Sequence, residues 1–285
     1  VTLWNLGSVN ADVVFRVPHM PAPGETLAAT DYQKGLGGKG ANMSVAATRA
    51  GSVVEHIGAV GEDGLWLKDR LAGYGVGTTH LAEIPGPQGQ AIILLDTEGE
   101  NQSVLLPGSS RAIDQALIAP ALSAAAAGDI AVFQNETSGQ AVFAKAAKAA
   151  GLRLAYAAAP FEPEAVQAVL EQLDILVMNQ VEAAQLEQAL GLAPEALPVA
   201  DVVITLGAKG CRWVETATGQ SRDYPAPKVT PVDTTGAGDT FTGYLLAGLD
   251  QGLDMADAID QAQRAAALMV TRVGTADVIP ARDEL

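Results

Sequence analysis

Short apolar runs alternate with runs of helical period through the second half of the chain. The run "DIAVFQ" (129–134) precedes "GQAVFAKAAKAAG", an alanine-rich helical pattern that stops on Gly151. "LRLAY" (152–156) then precedes "PEAVQAVLEQL", "DILVMN" (174–179) precedes "VEAAQLEQALG", and "DVVITLG" (201–207) follows. Strand and helix alternating at this spacing predict a parallel sheet covered on both faces by helices, an α/β fold. At the N-terminus "TLWNLGS" reads as a buried strand and "KGANMSVAATRAG" as a helix. Two stretches break the alternation, "DVVFRV…GETLAATDYQ" and "TTHLAEI…QAIILLD…NQSVLL". Strand-like runs joined by Pro/Gly turns, with no helix between them, predict a small antiparallel layer over about 12–36 and 78–108. It would stand off a single main domain spanning 1–285 as a lid. Such a layer leaves an apolar face to be covered, so a homodimer through the lid is expected.

Composition narrows the partners more than the fold. The 285 residues carry 17 Lys and Arg against 33 Asp and Glu, a net charge of -16. A surface this acidic lacks the basic footprint that nucleic acid and anionic membranes require. An anionic substrate such as ATP would then be held by local dipoles and a metal. Cys211 is the only cysteine, which excludes an internal disulfide and fits a reducing, cytoplasmic setting. His19, His56 and His80 are scattered without metal-site spacing. No apolar stretch approaches the ~18 residues of a membrane span, and no leader pattern opens the chain. The terminal "RDEL" resembles a retention signal but reads as coincidence without an entry signal.

The densest chemistry lies in "DTTGAGDTF", Asp233 to Phe241, just before the helical run "TGYLLAGL". Gly236 and Gly238 permit positive φ and bare the N–H groups of a helix start, a ready anion site. Such groups stabilise charge on a phosphoryl group in flight. Asp239 is an odd neighbour for an anion unless it accepts a proton, as an alcohol attacking phosphorus requires. A helix cap would account for one aspartate and leave the paired glycines unexplained.

Other motifs are more balanced. "GLGGKG" (35–40) matches G-x-G-x-x-G by letter, but it does not directly follow the first strand, and Lys39 is followed by Gly40 rather than Ser or Thr. It is neither a dinucleotide fingerprint nor a phosphate-binding Walker loop. "GSVNAD" (7–12) puts Asn10 and Asp12 at a strand's carboxyl end, where ligands bind in open sheets, though Asn and Asp also make plain turns. "NQVE" (179–182) is a capping box or a pair organising magnesium-bound water near phosphates. "TLGAKG" (205–210) is a loop between strands or a glycine loop meeting a nucleotide phosphate.

Taken together, these stretches resemble the ribokinase family, the PfkB-type carbohydrate kinases. "DTTGAGDTF" is similar to its anion-hole and catalytic-base signature, and "GGKGAN", ending at Asn42, to its N-terminal sugar signature. "GSVNAD", "PGET", "GAVGEDG", "GEN", "NQVEA", "TLGAKG" and "VTRVGTADVIP" follow in the family's order, so the resemblance runs from residue 7 to 280. It implies a Rossmann-like three-layer α/β/α fold with a small antiparallel β lid, often a dimer contact. It also implies ATP-dependent phosphorylation of a sugar hydroxyl, D-ribose above all. By position, Asp239 would be the general base, and the Gly236, Ala237 and Gly238 N–H groups the anion hole. Asn10, Asp12, Gly38, Lys39, Asn42 and Glu136 would meet the sugar. Asn179, Glu182, Thr205, Gly207, Gly210 and Gly238 would serve ATP and Mg2+, and Asp233, Thr235 and Gly274 a potassium ion.

Three positions depart from the family pattern. Ala157-Ala158-Ala159-Pro160 stands where Asn-Pro-Ala-Pro is usual, removing a polar group near the metal shell. Val278 replaces a serine that helps hold the monovalent cation, and Asn135 beside Glu136 replaces an apolar residue. Alternatives are a fructokinase or nucleoside kinase on the same fold, for which Phe15 and Tyr32 supply few stacking groups. A sugar-phosphate kinase would want more basic residues than Arg16 and Lys34. A non-enzymatic sugar-binding protein would have no use for Asp239 beside a glycine anion hole.

Overall fold

The apolar runs become the inner strands of one large sheet. In the computed structural model, which describes residues 1–285, the chain opens with β1 (Thr2–Leu6), β2 (Asn10–Arg16) and β3 (Asp31–Gly37). Helix α1 (Lys39–Arg49), β4 (Val53–Val60), α2 (Leu65–Gly73) and β5 (Leu81–Glu83) follow. Next come β6 (Gln90–Leu95), β7 (Asn101–Leu106), the short α3 (Ile118–Ala121) and β8 (Ile130–Phe133). Then come α4 (Gln140–Ala149), β9 (Arg153–Ala157), α5 (Pro163–Val169), β10 (Ile175–Asn179), α6 (Gln180–Leu190) and β11 (Asp201–Thr205). The hairpin β12 (Cys211–Glu215) and β13 (Gln220–Tyr224) leads to α7 (Ala237–Asp250) and α8 (Met255–Met269).

The large sheet has the order β13-β12-β11-β10-β9-β8-β1-β4-β5. It is parallel from β5 through β11, and the β12–β13 hairpin extends one edge antiparallel. One apolar cluster packs α1, α7 and α8 on one face, while α4, α5 and α6 cover the other, completing three layers. From β1 the chain goes outward to β4, then returns to place β8 on β1's other flank. The order therefore reverses between β1 and β8, and the crevice at their carboxyl ends is the site favoured for ligands in open α/β sheets.

The second sheet has the order β3-β2-β6-β7, two antiparallel hairpins joined by a parallel β2–β6 pairing. Its roots are the sugar-type motifs. Asn10 and Asp12 begin β2, and β3 ends at Gly37, one residue before the Gly38 N-cap of α1.

The lid does not include residues 78–84. Leu81–Glu83 pairs in parallel with Gly58–Val60 and forms the edge of the large sheet, with Leu81 buried. A helix, α2, does lie between β4 and β5, so this is a strand–helix–strand unit. A three-residue strand has too short a period to show which sheet it will join, and pairing with β4 decided it.

Candidate active site

Helix α7 carries Asp239 because its start is a glycine turn. Gly236 is the N-cap, with φ of 77°, and makes no side-chain cap. Asp239 sits in the first turn without capping it; its Oδ2 accepts a hydrogen bond from Asn42 Nδ2 at 2.8 Å. The close approach of α7 to α1 makes this pairing. One turn further along, a Cβ on Gly243 would lie 2.5 Å from the Ala46 Cβ. Residues four apart share a helix face, so the Gly243–Ala46 contact sets the spacing at Asp239–Asn42. Capping therefore does not explain Asp239. Asp233 makes the turn instead, its Oδ1 accepting from the Thr235 N–H at 2.9 Å.

Around Asp239 the charges are paired with care. Burial pushes its carboxyl up to about 6, against the opposing pull of Lys39 and the Asn42 hydrogen bond; Glu136 and Glu182 push the same way as burial. Lys39 is the first residue of α1, where the helix dipole disfavours a cation. The Asp239 charge chiefly holds it protonated, with help from Glu136 and Glu182 against burial. Its Nζ lies 3.7 Å from Glu136 Oε1.

Glu136, just past β8, closes the crevice at the switch point. Its Oε2 accepts from Ser8 Oγ at 2.5 Å and from the Lys39 N–H at 3.0 Å, joining the ends of β1, β8 and the start of α1. Asp12 lies at the lid root, with Oδ2 3.4 Å from Thr275 Oγ1. Burial raises its carboxyl to about 6, with Glu136 and Asp239 adding to the rise and Thr275 and Lys39 opposing it. Asn10 Oδ1 accepts from Ser110 Oγ at 3.3 Å. Gly38 has φ of 95°, and a Cβ there would meet the Ser8 carbonyl oxygen at 2.9 Å. Asn42 Oδ1 is buried without a protein partner, an exception among buried polar atoms. Asn10, Asp12, Gly38, Lys39, Asn42, Glu136 and Asp239 thus share one crevice.

A cavity of about 370 Å³ adjoins the start of α7. Thr205, Gly207, Gly210, Ala237 and Gly238 line it; Asn179 and Glu182 do not. Asn179 and Glu182 form the capping box, with Asn179 Oδ1 accepting from the Val181 and Glu182 N–H groups and Glu182 Oε2 from the Asn179 N–H at 2.8 Å. The Glu182 carboxyl still lies within electrostatic reach of Lys39, and burial raises it above the usual carboxylate range. In the first turn of α7 the Ala237 N–H is already engaged by the Thr234 carbonyl at 3.2 Å. The Gly238 and Asp239 N–H groups have no helical acceptor, as at any helix start.

Gln263, on α8, lines the same cavity, and its buried Oε1 has no partner. Nothing in its local sequence signals this, because α8 reads as an amphipathic core helix. Ser8 and Thr275 are likewise without local signature. Asn135 points away from the crevice: its side chain accepts from Tyr156 Oη at 2.5 Å and donates to the Pro160 carbonyl at 2.9 Å. It braces the Ala157–Pro160 turn.

At the third suggested site, Asp233 Oδ2 accepts from the Gly274 N–H at 3.2 Å, so Asp233, Thr235 and Gly274 meet. Val278 packs beside Gly274, its Cγ1 3.3 Å from where a Cβ would stand. Nowhere do three or more His, Cys, Asp or Glu side chains gather as a metal cage, and no helix is long and apolar enough to cross a membrane.

Comparison with known proteins identifies the family. The pfkB family carbohydrate kinase model matches residues 3–282. The ribokinase of Haemophilus influenzae is 36% identical over 99% of this chain and 96% of its own, and that of Bacillus subtilis 32% identical over 98% and 96%. A deoxyribokinase of Salmonella typhi is 28% identical over 98% and 95%. Among solved structures, the ribokinase of Cryptococcus neoformans with ADP superposes with a TM-score of 0.87 at 30% identity, covering 99% of this chain and 98% of that one. The Arabidopsis thaliana ribokinase with ribose and ATP gives 0.86 at 27%, covering 99% and 96%. With the match spanning nearly every residue, the chain belongs to the pfkB family of carbohydrate kinases.

Proposed function

We propose that the protein phosphorylates D-ribose at its 5-hydroxyl with ATP. The observation that carries the reading is Asp239: a buried carboxylate, held by Asn42 on the sugar side and one position past Gly238, which lines the nucleotide-side cavity. The Asp239 carboxylate takes the hydroxyl proton as the alcohol oxygen bonds to the γ-phosphorus and the bond to ADP breaks. N–H groups at the Gly236–Ala237–Gly238 turn face the charge that develops on the phosphoryl oxygens. Of these, Gly238 carries more than Ala237, whose N–H is turned to Thr234. Asn10, Asp12, Gly38, Lys39, Asn42 and Glu136 hold the sugar, and Thr205, Gly207 and Gly210 the nucleotide.

Magnesium comes as part of the substrate, on the phosphates of ATP, since the chain gathers no cage of its own. When bound, it neutralises charge on the β- and γ-oxygens. Asn179 and Glu182 would order its water shell.

The test is turnover across a panel of ribose, deoxyribose, fructose and nucleosides, each with ATP and GTP. Ribose with ATP gives the highest kcat/KM, yields a 5-phosphate, and ATP is consumed little without sugar. A tenfold advantage for a nucleoside or fructose over ribose would assign a different substrate and leave the kinase reading standing.

Asp233, Thr235 and Gly274 would form a monovalent-cation loop beside the anion hole. Both Asp233 oxygens already accept backbone N–H groups, and Val278 adds an apolar wall, so activation by potassium is weak. Equal rates in potassium and in a large organic cation would reject the site. The lid strand β7 exposes Val104 and Leu105 at 70% and 67%. An exposed apolar edge strand seeks a partner, and we assign the lid to a homodimer contact. Sedimentation at micromolar concentration then gives twice the chain mass, and a monomer would refute it.

A further inference from the structure

Beneath the sugar-facing segments lies a buried polar chain that the chemistry above does not use. Asn5 on β1, Ser44 on α1, His56 on β4 and Gln134 just past β8 each have no exposed surface. Gln134 Nε2 donates to Asn5 Oδ1 at 2.9 Å. Asn5 Nδ2 donates to the Gly40 carbonyl and to Ser44 Oγ, both at 2.8 Å. A carbonyl can only accept, which fixes the orientation of the Asn5 amide. Having accepted from Asn5, the Ser44 hydroxyl has its proton left for His56 Nδ1 at 2.8 Å. Nδ1 is then an acceptor, and the ring hydrogen lies on Nε2, which donates to the Gly7 carbonyl at 3.1 Å. Burial lowers the ring's pKa to about 4, so it stays neutral at ordinary pH.

The chain of hydrogen bonds ends on two glycines that lie back to back. A Cβ on Gly7 would stand 2.5 Å from Gly40 Cα, and one on Gly40 would stand 2.3 Å from Gly7 Cα. Ser8 follows Gly7, Lys39 precedes Gly40, and Glu136 lies two residues past Gln134. These are the three residues that interlock across the crevice. Apolar packing would hold the segments together without fixing their register, because dispersion has no direction. Buried hydrogen bonds cost desolvation and add little net stability, but they dictate distance and angle.

We propose that His56 is a positioning residue for the sugar site. Through Gly7 on one side and the Ser44–Asn5 relay to Gly40 on the other, it sets the spacing between the Ser8–Asn10 segment and the start of α1. This inference rests on the sugar-kinase reading of the crevice.

Three variants and one spectrum test it. His56→Phe keeps a ring and loses both hydrogen bonds, His56→Gln retains an acceptor and a donor, and Ser44→Ala breaks the relay at Nδ1. His56→Phe raises the sugar KM ~10- to 100-fold, the scale of a small misplacement. The KM for ATP stays within about twofold. His56→Gln recovers most of the loss, and Ser44→Ala shows a smaller rise confined to the sugar. Long-range proton–nitrogen NMR of the wild type shows the Nε2–H tautomer. Parallel rises in both KM values, an unchanged sugar KM in a folded variant, or an Nδ1–H tautomer each overturn the proposal. If His56→Phe fails to fold, Ser44→Ala and the wild-type spectrum decide it. Failure of the wild type to phosphorylate any sugar would instead sink the kinase reading, and that is seen before any variant is made.

Discussion

Asp239→Asn lowers kcat by ~10²–10⁴-fold, the usual contribution of a positioned base, while the protein becomes more resistant to heat. Asparagine keeps the shape and can still pair with Asn42, but it cannot take the hydroxyl proton. Affinity for ATP stays near wild type or rises slightly, since a negative charge beside the γ-phosphate is gone. The stability gain follows from linkage. Asp239 has a folded pKa of about 6 against an unfolded value near 3.8, so the folded state holds the extra proton between them. Stability is fully present below the unfolded pKa and is lost as pH rises through about 6. At pH 7 the ionised carboxylate therefore destabilises the fold by roughly 3 kcal/mol, a strain that asparagine relieves. The same ionisation governs activity in the opposite sense: kcat falls as pH drops below about 6, where the base is protonated. Near-normal kcat in Asp239→Asn would remove the residue from the chemistry. A fall in thermal midpoint would show that Asn42 needs the charge.

Gly37→Ala separates sugar from nucleotide. A Cβ at Gly37 would lie 2.0–2.2 Å from all three Asp12 carboxylate atoms, so the carboxylate must swing away. That movement is cheap for the fold, because Asp12 is half-buried at the lid root and its side chain can rotate. It is costly for the site, because the displaced carboxylate leaves the sugar and its hydrogen bond with Thr275. The sugar KM should rise ~10²-fold, the scale expected when a positioning group moves by an ångström. ATP affinity and the thermal midpoint should change little. Titration calorimetry with ribose and with a non-hydrolysable ATP analogue measures both affinities. An equal loss of both ligands would show that the lid root serves the whole site, contrary to the assignment of Asp12 to the sugar.

Much of this protein is legible in its sequence, for local reasons. Alternating strand and helix runs predict the layered sheet, because a segment's period states how it must be buried. "DTTGAGDTF" discloses the start of α7 and its free N–H groups, since glycine permits φ of 77° at Gly236 whatever lies nearby. Thr205, Gly207 and Gly210 reach the cavity because their loop follows a strand of the sheet. Other features only the tertiary structure decided. Leu81–Glu83 joins the large sheet rather than the lid because β4 offers an open edge, and no property of three residues states that. Asp239 escapes the role of cap because Asn42, 197 positions away, supplies its partner. Glu136 meets Ser8 across 128 positions, and Gln263 lines a cavity whose other walls come from distant segments of the chain. His56 carries no motif at all, and its fixed tautomer follows from Asn5 on β1, Ser44 on α1, Gln134 just past β8 and the Gly7 carbonyl, which the fold brings to it. Periodicity and glycine act through the backbone of their own segment and so can be read in one dimension. A hydrogen-bond partner is set by the distance between segments, which exists only once the sheet has closed.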